Sequence, residues 1–138
     1  KGVEGISALA RTDLTMVNRE RGSGQRVLLD EKLKAMGLAP REVNGYRNEQ
    51  TASLTVAAAV ARGEGDMGLG AESACRQVSG VDFIPLQKEW CDMVFLAERE
   101  REPAFQAILD YVLSETFARD LSQSAGYDLS QTGKVFRL

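Results

Sequence analysis

Residues 14–36 have the sequence LTMVNRERGSGQRVLLDEKLKAM, which changes from a strand signal to a turn and then to a helix signal. The apolar run at 14–17 predicts a strand, and Gly22 and Gly24 mark the turn that follows it. Apolar residues at positions 29, 33 and 36 lie on one stripe of a helix, which Gly37 ends. This strand–turn–helix succession is typical of α/β folds built on a parallel sheet.

The same alternation continues downstream. The pattern predicts, in order, a strand near 43–47, a helix over 51–62 capped by Thr51, a strand over 66–70 and a helix over 71–78. The last part is predicted to hold a pair of strands at 81–86 and 91–97 and two helices, which begin at Pro103 and after Ser114. The predicted fold class is therefore α/β, with a mostly parallel sheet and helices on both of its faces.

Composition narrows the classes of protein. The 138 residues are 43% hydrophobic and 27% charged, as expected of one globular domain. No apolar run approaches the roughly 20 residues of a membrane-spanning helix. The net charge of −3 divides into +3 over residues 1–47 and −6 over residues 48–138, which disfavours direct contact with nucleic acid.

The ionisable side chains also limit the chemistry. The chain has no histidine, which excludes a histidine-based triad or an imidazole metal site built from this chain alone. Its two cysteines do not form a disulfide framework, which favours a cytoplasmic location. The glycine-rich turn matches neither the Walker A loop nor the dinucleotide fingerprint, whose third glycine is replaced by Val27.

The turn nevertheless has the parts of an anion site. A strand–turn–helix junction presents unpaired N–H groups at the positive end of the helix dipole. Gly22 and Gly24 permit close approach and Ser23 adds a hydroxyl, while the sources of full charge are Arg19, Arg21 and Arg26. An alternative stays open, in which Ser23 only caps the helix and the arginines are solvated.

Two further positions are candidates. Thr51 begins a second helix whose free N–H groups would hold an oxyanion from another side if both helix starts faced one cleft, although capping alone also explains Thr51. Glu72 follows the glycine-rich segment 66–70 and either binds a cationic or hydroxylated group or favours its own helix N-terminus.

The segment 18–30 resembles the pattern N-R-x-x-G-S-G-T-R-x-L-L-D of the periplasmic-binding-protein-like (type II) superfamily domain. This domain is found in molybdopterin biosynthesis proteins and in helix-turn-helix molybdate-type regulators. Later blocks agree in order: VAAAVARG at 56–63, DMGLG at 66–70, DFIPL at 82–86, GYD at 126–128 and TG at 132–133. Gln25 departs from the usual threonine, which removes one hydroxyl donor at the helix start.

The resemblance implies two α/β lobes with a ligand in the cleft between them. Residues 4–79 would form lobe two, and residues 80–138 would supply the crossover return, strands and C-terminal helices of an incomplete lobe one. Ser23 and Gly24 would contact an anion, with Arg19 or Arg26 as its charge partner and Thr51 as a contact from the second helix. The candidate ligand-binding residues are Arg19, Gly22, Ser23, Gly24, Arg26, Thr51 and Glu72.

The leading hypothesis is a cytoplasmic binding domain for a small anion: molybdate, tungstate or a phosphorylated molecule. It would serve sensing or delivery in molybdenum cofactor biosynthesis or transcriptional regulation, with no membrane contact and with homodimers expected. No catalytic residue, metal ligand or cofactor is predicted. The alternatives are an enzyme domain acting on a phosphorylated substrate and a dimerisation domain that binds nothing.

Overall fold

The computed structural model describes residues 2–136. It contains two compact units, of which the first ends at Gln87 and the second begins at Lys88. The regular elements of the first unit are β1 (Met16–Arg19), α1 (Gly24–Met36), β2 (Glu49–Gln50), α2 (Ser53–Ala61), β3 (Met67–Gly68) and α3 (Glu72–Cys75). Those of the second unit are α4 (Pro103–Val112) and α5 (Glu115–Ser122), and short 3₁₀ helices lie at Ile6–Ala10, Pro40–Glu42 and Ala97–Arg99.

The three strands form a parallel sheet in the order β2-β1-β3. Asn18 is in register with Glu49, and Met16 is in register with Met67. Each strand is followed by a helix, so β1 is the central strand of a small α/β sheet and the predicted α/β class is confirmed.

The central strand is buried along its whole length, because both faces of the sheet are covered. On one side Met16 packs in a cluster of buried residues that includes Leu29 and Leu33 of α1; on the other, Val17 packs with Val56 and Ala59 of α2. Leu29 and Leu33 are at most 1% exposed, and burial of a leucine side chain contributes about 1.5–3 kcal/mol. Leu29 and Leu33 of the predicted apolar stripe therefore face the core, whereas Met36, its third member, is 39% exposed.

The strand predicted at 43–47 is wrong, since the strand lies at Glu49–Gln50 and residues 44–47 form a turn. Gly45 has φ +79°, and a Cβ there would lie 2.1 Å from the carbonyl oxygen of Met16. The chain therefore approaches β1 closely and turns before it can pair with it. The N–H of Met16 donates to the carbonyl of Asn44 at 2.9 Å, which joins this turn to the start of β1.

The strands predicted at 81–86 and 91–97 are also wrong, because residues 81–96 have no regular secondary structure. An extended segment becomes a strand only where a neighbouring strand pairs with it, and within residues 2–136 neither 81–86 of the first unit nor 91–97 of the second pairs with β1, β2 or β3. The segment leaves apolar side chains in water: Val94 is 90% exposed and Trp90 is 75% exposed.

The two predicted C-terminal helices are confirmed. Pro103 opens α4, and the hydroxyl of Ser114 accepts a hydrogen bond from the N–H of Phe117 at the start of α5. The rings of Tyr111 and Phe117 meet edge to face, 5.4 Å apart, yet no residue from 88 to 136 is buried. Among the described residues, no helix combines the length and apolar character that crossing a membrane requires.

Candidate functional site

The start of α1 presents free backbone donors at an open surface. Ser23 is the N-cap: its hydroxyl accepts from the N–H of Arg26 at 3.3 Å and donates to the carbonyl of Glu20 at 3.0 Å. Among residues 2–136, the N–H groups of Gly24 and Gln25 form no hydrogen bond. A Cβ added at Gly24 would meet nothing within 4 Å. The turn therefore leaves room for a ligand against these donors.

Arg19 ends β1 and points into this junction. Its residue exposure is only 9%, and its guanidinium is held on every side. Nη1 donates to Gln25 Oε1 at 3.2 Å and to Ser53 Oγ at 2.9 Å. Nη2 donates to Glu20 Oε1 at 2.8 Å and to the Thr51 carbonyl at 3.2 Å, while Nε donates to Glu20 Oε2 at 3.1 Å.

These bonds bring two helix starts together. Gln25 lies in the first turn of α1 and Ser53 begins α2, and both accept from the same nitrogen of Arg19. The N–H groups of Ser53 and Leu54 also find no acceptor in the described part of the chain. Both helices follow the carboxyl ends of adjacent parallel strands, the edge where open α/β sheets bind ligands.

Thr51 is not the N-cap of α2. The helix begins at Ser53 with Ala52 as its N-cap, so the prediction that Thr51 caps α2 is wrong. The hydroxyl of Thr55 satisfies the N-cap backbone instead, since it accepts from the N–H of Ala52 at 3.2 Å and donates to its carbonyl at 2.8 Å. Thr51 itself is exposed, and its backbone carbonyl contacts Arg19.

Arg26 is buried below the turn, and its partners belong to the protein. Its guanidinium donates to the Arg19 carbonyl at 3.0 Å and to Glu49 Oε1 at 2.9 Å. It also donates to Asp30 and lies 4.2 Å from the centre of the Tyr46 ring. Burial lowers the pKa of Arg26, but its bonds with Glu49 and Tyr46 outweigh that effect and the pKa is raised. Arg26 therefore ties β1, α1 and β2 together.

The two remaining charged candidates lie apart from these bonds. Glu72 begins α3 and pairs with Arg76 at 3.0 Å, one turn further along, and no hydrogen bond joins it to Arg19 within residues 2–136. Arg21 is exposed on the turn. The structure thus brings Arg19, Gly24 and Ser23 to one place, and it leaves Glu72 outside this cluster.

Several residues of the site were not among the predicted ligand-binding residues. Asn18 is 1% exposed, and its amide donates to the Tyr46 carbonyl at 2.8 Å while its oxygen accepts from the N–H of Arg19 at 2.9 Å. Glu20 and Gln25 complete the surroundings of Arg19. One signal was present: Arg26 lies three and seven residues before Leu29 and Leu33, so it shares their buried stripe.

These features define a small parallel α/β domain whose strand ends and helix starts converge on one buried arginine. The chain belongs to the family described as the PBP superfamily domain, whose model matches residues 1–113. This membership indicates a ligand-binding domain.

Two curated relatives are similar to the chain. An uncharacterized protein of Bacillus subtilis (strain 168), YvgK, is 41% identical over 135 residues, which are 98% of this chain and 43% of the relative. An uncharacterized protein encoded in the 5′ region of the ferredoxin 2Fe-2S gene of Clostridium pasteurianum is 41% identical over 109 residues, which are 79% of this chain and 96% of the relative. The chain thus spans less than half the length of the Bacillus relative. No solved structure matches it significantly.

Proposed function

We propose that this domain binds a small oxyanion between the first turns of α1 and α2. The observation that carries the proposal is the pair of helix starts held by Arg19, each with N–H groups that have no acceptor in the described part of the chain. Backbone donors at a helix N-terminus, together with the helix dipole, favour negative charge, and two such ends act on the same ligand.

The contacts assign different roles to the predicted residues. Gly24 and the N–H groups beside it would donate to the ligand, and the absence of a side chain at Gly22 and Gly24 keeps the surface open. Arg19 would supply full charge. Arg26 has its bonds turned toward Glu49 and the Arg19 carbonyl, which supports a structural role below the site.

The finer part of the proposal concerns ligand and context. Tetrahedral dianions such as molybdate and tungstate offer several oxygens to donors that converge from two helices, and a phosphorylated molecule has the same chemistry at its phosphate. We further propose sensing or delivery in the cytoplasm, linked to molybdenum cofactor biosynthesis or to transcription. The resemblance of residues 18–30 to domains with those roles supports this step.

A matched pair of variants at Gly24 tests the site. Proline is favoured at the first position of a helix, and the preceding Ser23 already has the extended backbone (φ −73°, ψ 148°) that a following proline requires. Gly24→Pro therefore deletes one N–H donor with little change in the helix. Gly24→Ala keeps the N–H and adds a methyl group to open space, so it is the control.

Binding of tungstate, molybdate and inorganic phosphate is measured by isothermal titration calorimetry and by thermal stabilisation. We expect Gly24→Pro to weaken binding about tenfold or more, by the loss of one hydrogen bond to a charged group, and Gly24→Ala to bind like the parent. Thermal stabilisation should grow as RT ln(1 + [L]/Kd). Equal binding by the two variants, or no binding of these anions by the parent, would contradict the proposal.

A further inference from the structure

The guanidinium of Arg19 has no N–H group left for a ligand. A guanidinium carries five N–H donors. The bonds of Arg19 also number five: one from Nε, two from Nη1 and two from Nη2. An anion that contacts Arg19 directly must therefore displace an acceptor that the protein already supplies.

Glu20 is the one carboxylate among the four residues whose oxygens accept these bonds, and its side chain can rotate away. Its carboxylate takes two of the five bonds, at 3.1 Å from Nε and 2.8 Å from Nη2, in the two-pronged geometry that arginine forms with carboxylates and other oxyanions. Its side chain is 35% exposed, whereas that of Arg19 is 11% exposed. The backbone of Glu20 is held independently, since its N–H donates to Gln50 and its carbonyl accepts from the Ser23 hydroxyl. Rotation of the side chain into water therefore breaks the ion pair and leaves the bonds to Gln50 and Ser23 intact.

We propose that the Glu20 carboxylate is an internal competitor. It occupies the Nε and Nη2 donors of Arg19, here called the Arg19 edge of the anion site, until an external oxyanion replaces it. This inference rests on the proposed function, because it assigns Glu20 a role at the same site. The exchange is between like groups: two carboxylate oxygens leave the Nε and Nη2 donors, and two oxygens of the ligand take their place.

The competition also sets the class of ligand. While the Glu20 carboxylate is bound to Arg19, it neutralises the charge of the guanidinium. A weakly charged or single-atom anion therefore gains little binding free energy by replacing this bidentate carboxylate. A dianion with at least two oxygens free satisfies the same two donors and adds charge opposite the helix starts. Glu20 is in this sense a residue that determines specificity for oxyanions with a charge of about −2.

Three variants separate competition from a simple effect of charge. Glu20→Gln removes the charge and weakens the competitor. Glu20→Asp keeps the charge on a side chain one methylene shorter, which we expect to lose the two-pronged contact with Nε and Nη2. Glu31→Gln removes the same charge from an exposed position of α1 and is the matched control. Circular dichroism checks that each variant is folded, and calorimetry measures the dissociation constants of tungstate and inorganic phosphate.

We expect both Glu20 variants to bind the two anions about 3- to 30-fold more tightly than the parent, because the fraction of molecules with a free Arg19 edge rises. Glu31→Gln should change binding less than about twofold. If Glu20→Gln binds more tightly but Glu20→Asp does not, the effect is one of charge alone and the competition model is wrong.

The remaining outcomes separate this inference from the proposed function. If neither Glu20 variant tightens binding while the parent still binds and Gly24→Pro weakens it, the inference fails and the anion site stands. If neither the parent nor any Glu20 variant binds tungstate or phosphate, both proposals fail.

Discussion

Replacing Arg26 with methionine removes the guanidinium that joins β1, α1 and β2 while it retains an apolar side chain of similar length. Arg26 is 3% exposed, so the substitution acts in the interior of the first unit. Sequence reasoning placed this residue at the ligand, whereas its bonds in the structure are those of a support for the turn. The variant distinguishes the two roles, because the first predicts lost binding and the second predicts lost stability.

The size of the effect follows from the bonds that disappear. Losing the hydrogen bond to the carbonyl of the buried Arg19 costs about 1–3 kcal/mol. Glu49 and Asp30 have 36% and 46% of their side chains in water, so the two lost ion pairs together add about 1 kcal/mol. The lost contact with the Tyr46 ring adds ~0.5–1 kcal/mol. Because methionine avoids the desolvation of a buried charge, we expect a net destabilisation of about 2 kcal/mol.

Urea unfolding followed by far-ultraviolet circular dichroism measures the free energy of unfolding of Arg26→Met and of the control Arg21→Met. Arg21 is exposed, and its substitution should change that free energy by less than about 0.5 kcal/mol. A local readout is hydrogen exchange at the N–H of Asn18, which bonds to the carbonyl of Asn48 at 2.8 Å and should exchange faster in Arg26→Met.

Two results would refute the structural role of Arg26. The first is a destabilisation no larger than that of Arg21→Met. The second is a folded, stable Arg26→Met protein whose affinity for tungstate falls more than about tenfold, since such a loss corresponds to a direct bond to the ligand.

Three further predictions concern other parts of the chain. In Gly68→Ala the new Cβ would lie 2.4 Å from Val56 Cγ1, so we expect a destabilisation of about 1–3 kcal/mol in urea unfolding, and an unchanged free energy would contradict the packing of α2 on β3. The Lys88 ammonium holds the pKa of Asp128 well below its usual value, so the contribution of this pair to stability is present above about pH 4 and is lost as the pH falls through the lower pKa of the folded state. Lys88→Met should raise that pKa in a carboxyl-carbon NMR titration, and an unchanged titration would show that the ion pair is not formed. Ser114→Ala removes the cap of α5 and should cost about 1 kcal/mol, seen as faster hydrogen exchange in the first turn of that helix and not in α1.

Apart from the cap wrongly predicted at Thr51, features that depend on neighbouring residues alone were predictable. The cap at Ser23, the left-handed Gly37 that ends α1 and the proline that opens α4 are local signals, and the structure places each where the sequence predicts. The anion-site hypothesis rested on the same kind of signal, since a glycine-rich turn before a helix leaves N–H groups free wherever the helix packs. The spacing of Arg26 with Leu29 was an equally local signal of burial, but the prediction for Arg26 was a contact with the ligand, or solvation, instead.

Features that depend on distant partners were not predictable. Periodicity favoured strands at 81–86 and 91–97, but a strand exists only where another segment accepts its hydrogen bonds. The choice between Arg19 and Arg26 as the residue facing the ligand likewise depends on Glu49 and Ser53, which are more than 20 residues away in the chain. No sequence motif marked the carboxylate of Glu20, because the role proposed for it follows from the observation that all five donors of Arg19 are occupied.

The position of Arg19 explains why the topology favours this site. β1 is buried and lies beside β2, and the side chain of Arg19 at its end bonds to the first turns of both α1 and α2. Five hydrogen bonds hold the guanidinium there before any ligand arrives. The side chain of Arg19 therefore loses little conformational entropy when a ligand binds. The motion that remains is rotation of Glu20, which moves one half-exposed side chain and leaves the core unchanged. The affinity for an oxyanion should therefore follow the strength of the Arg19–Glu20 pair more closely than the stability of the fold.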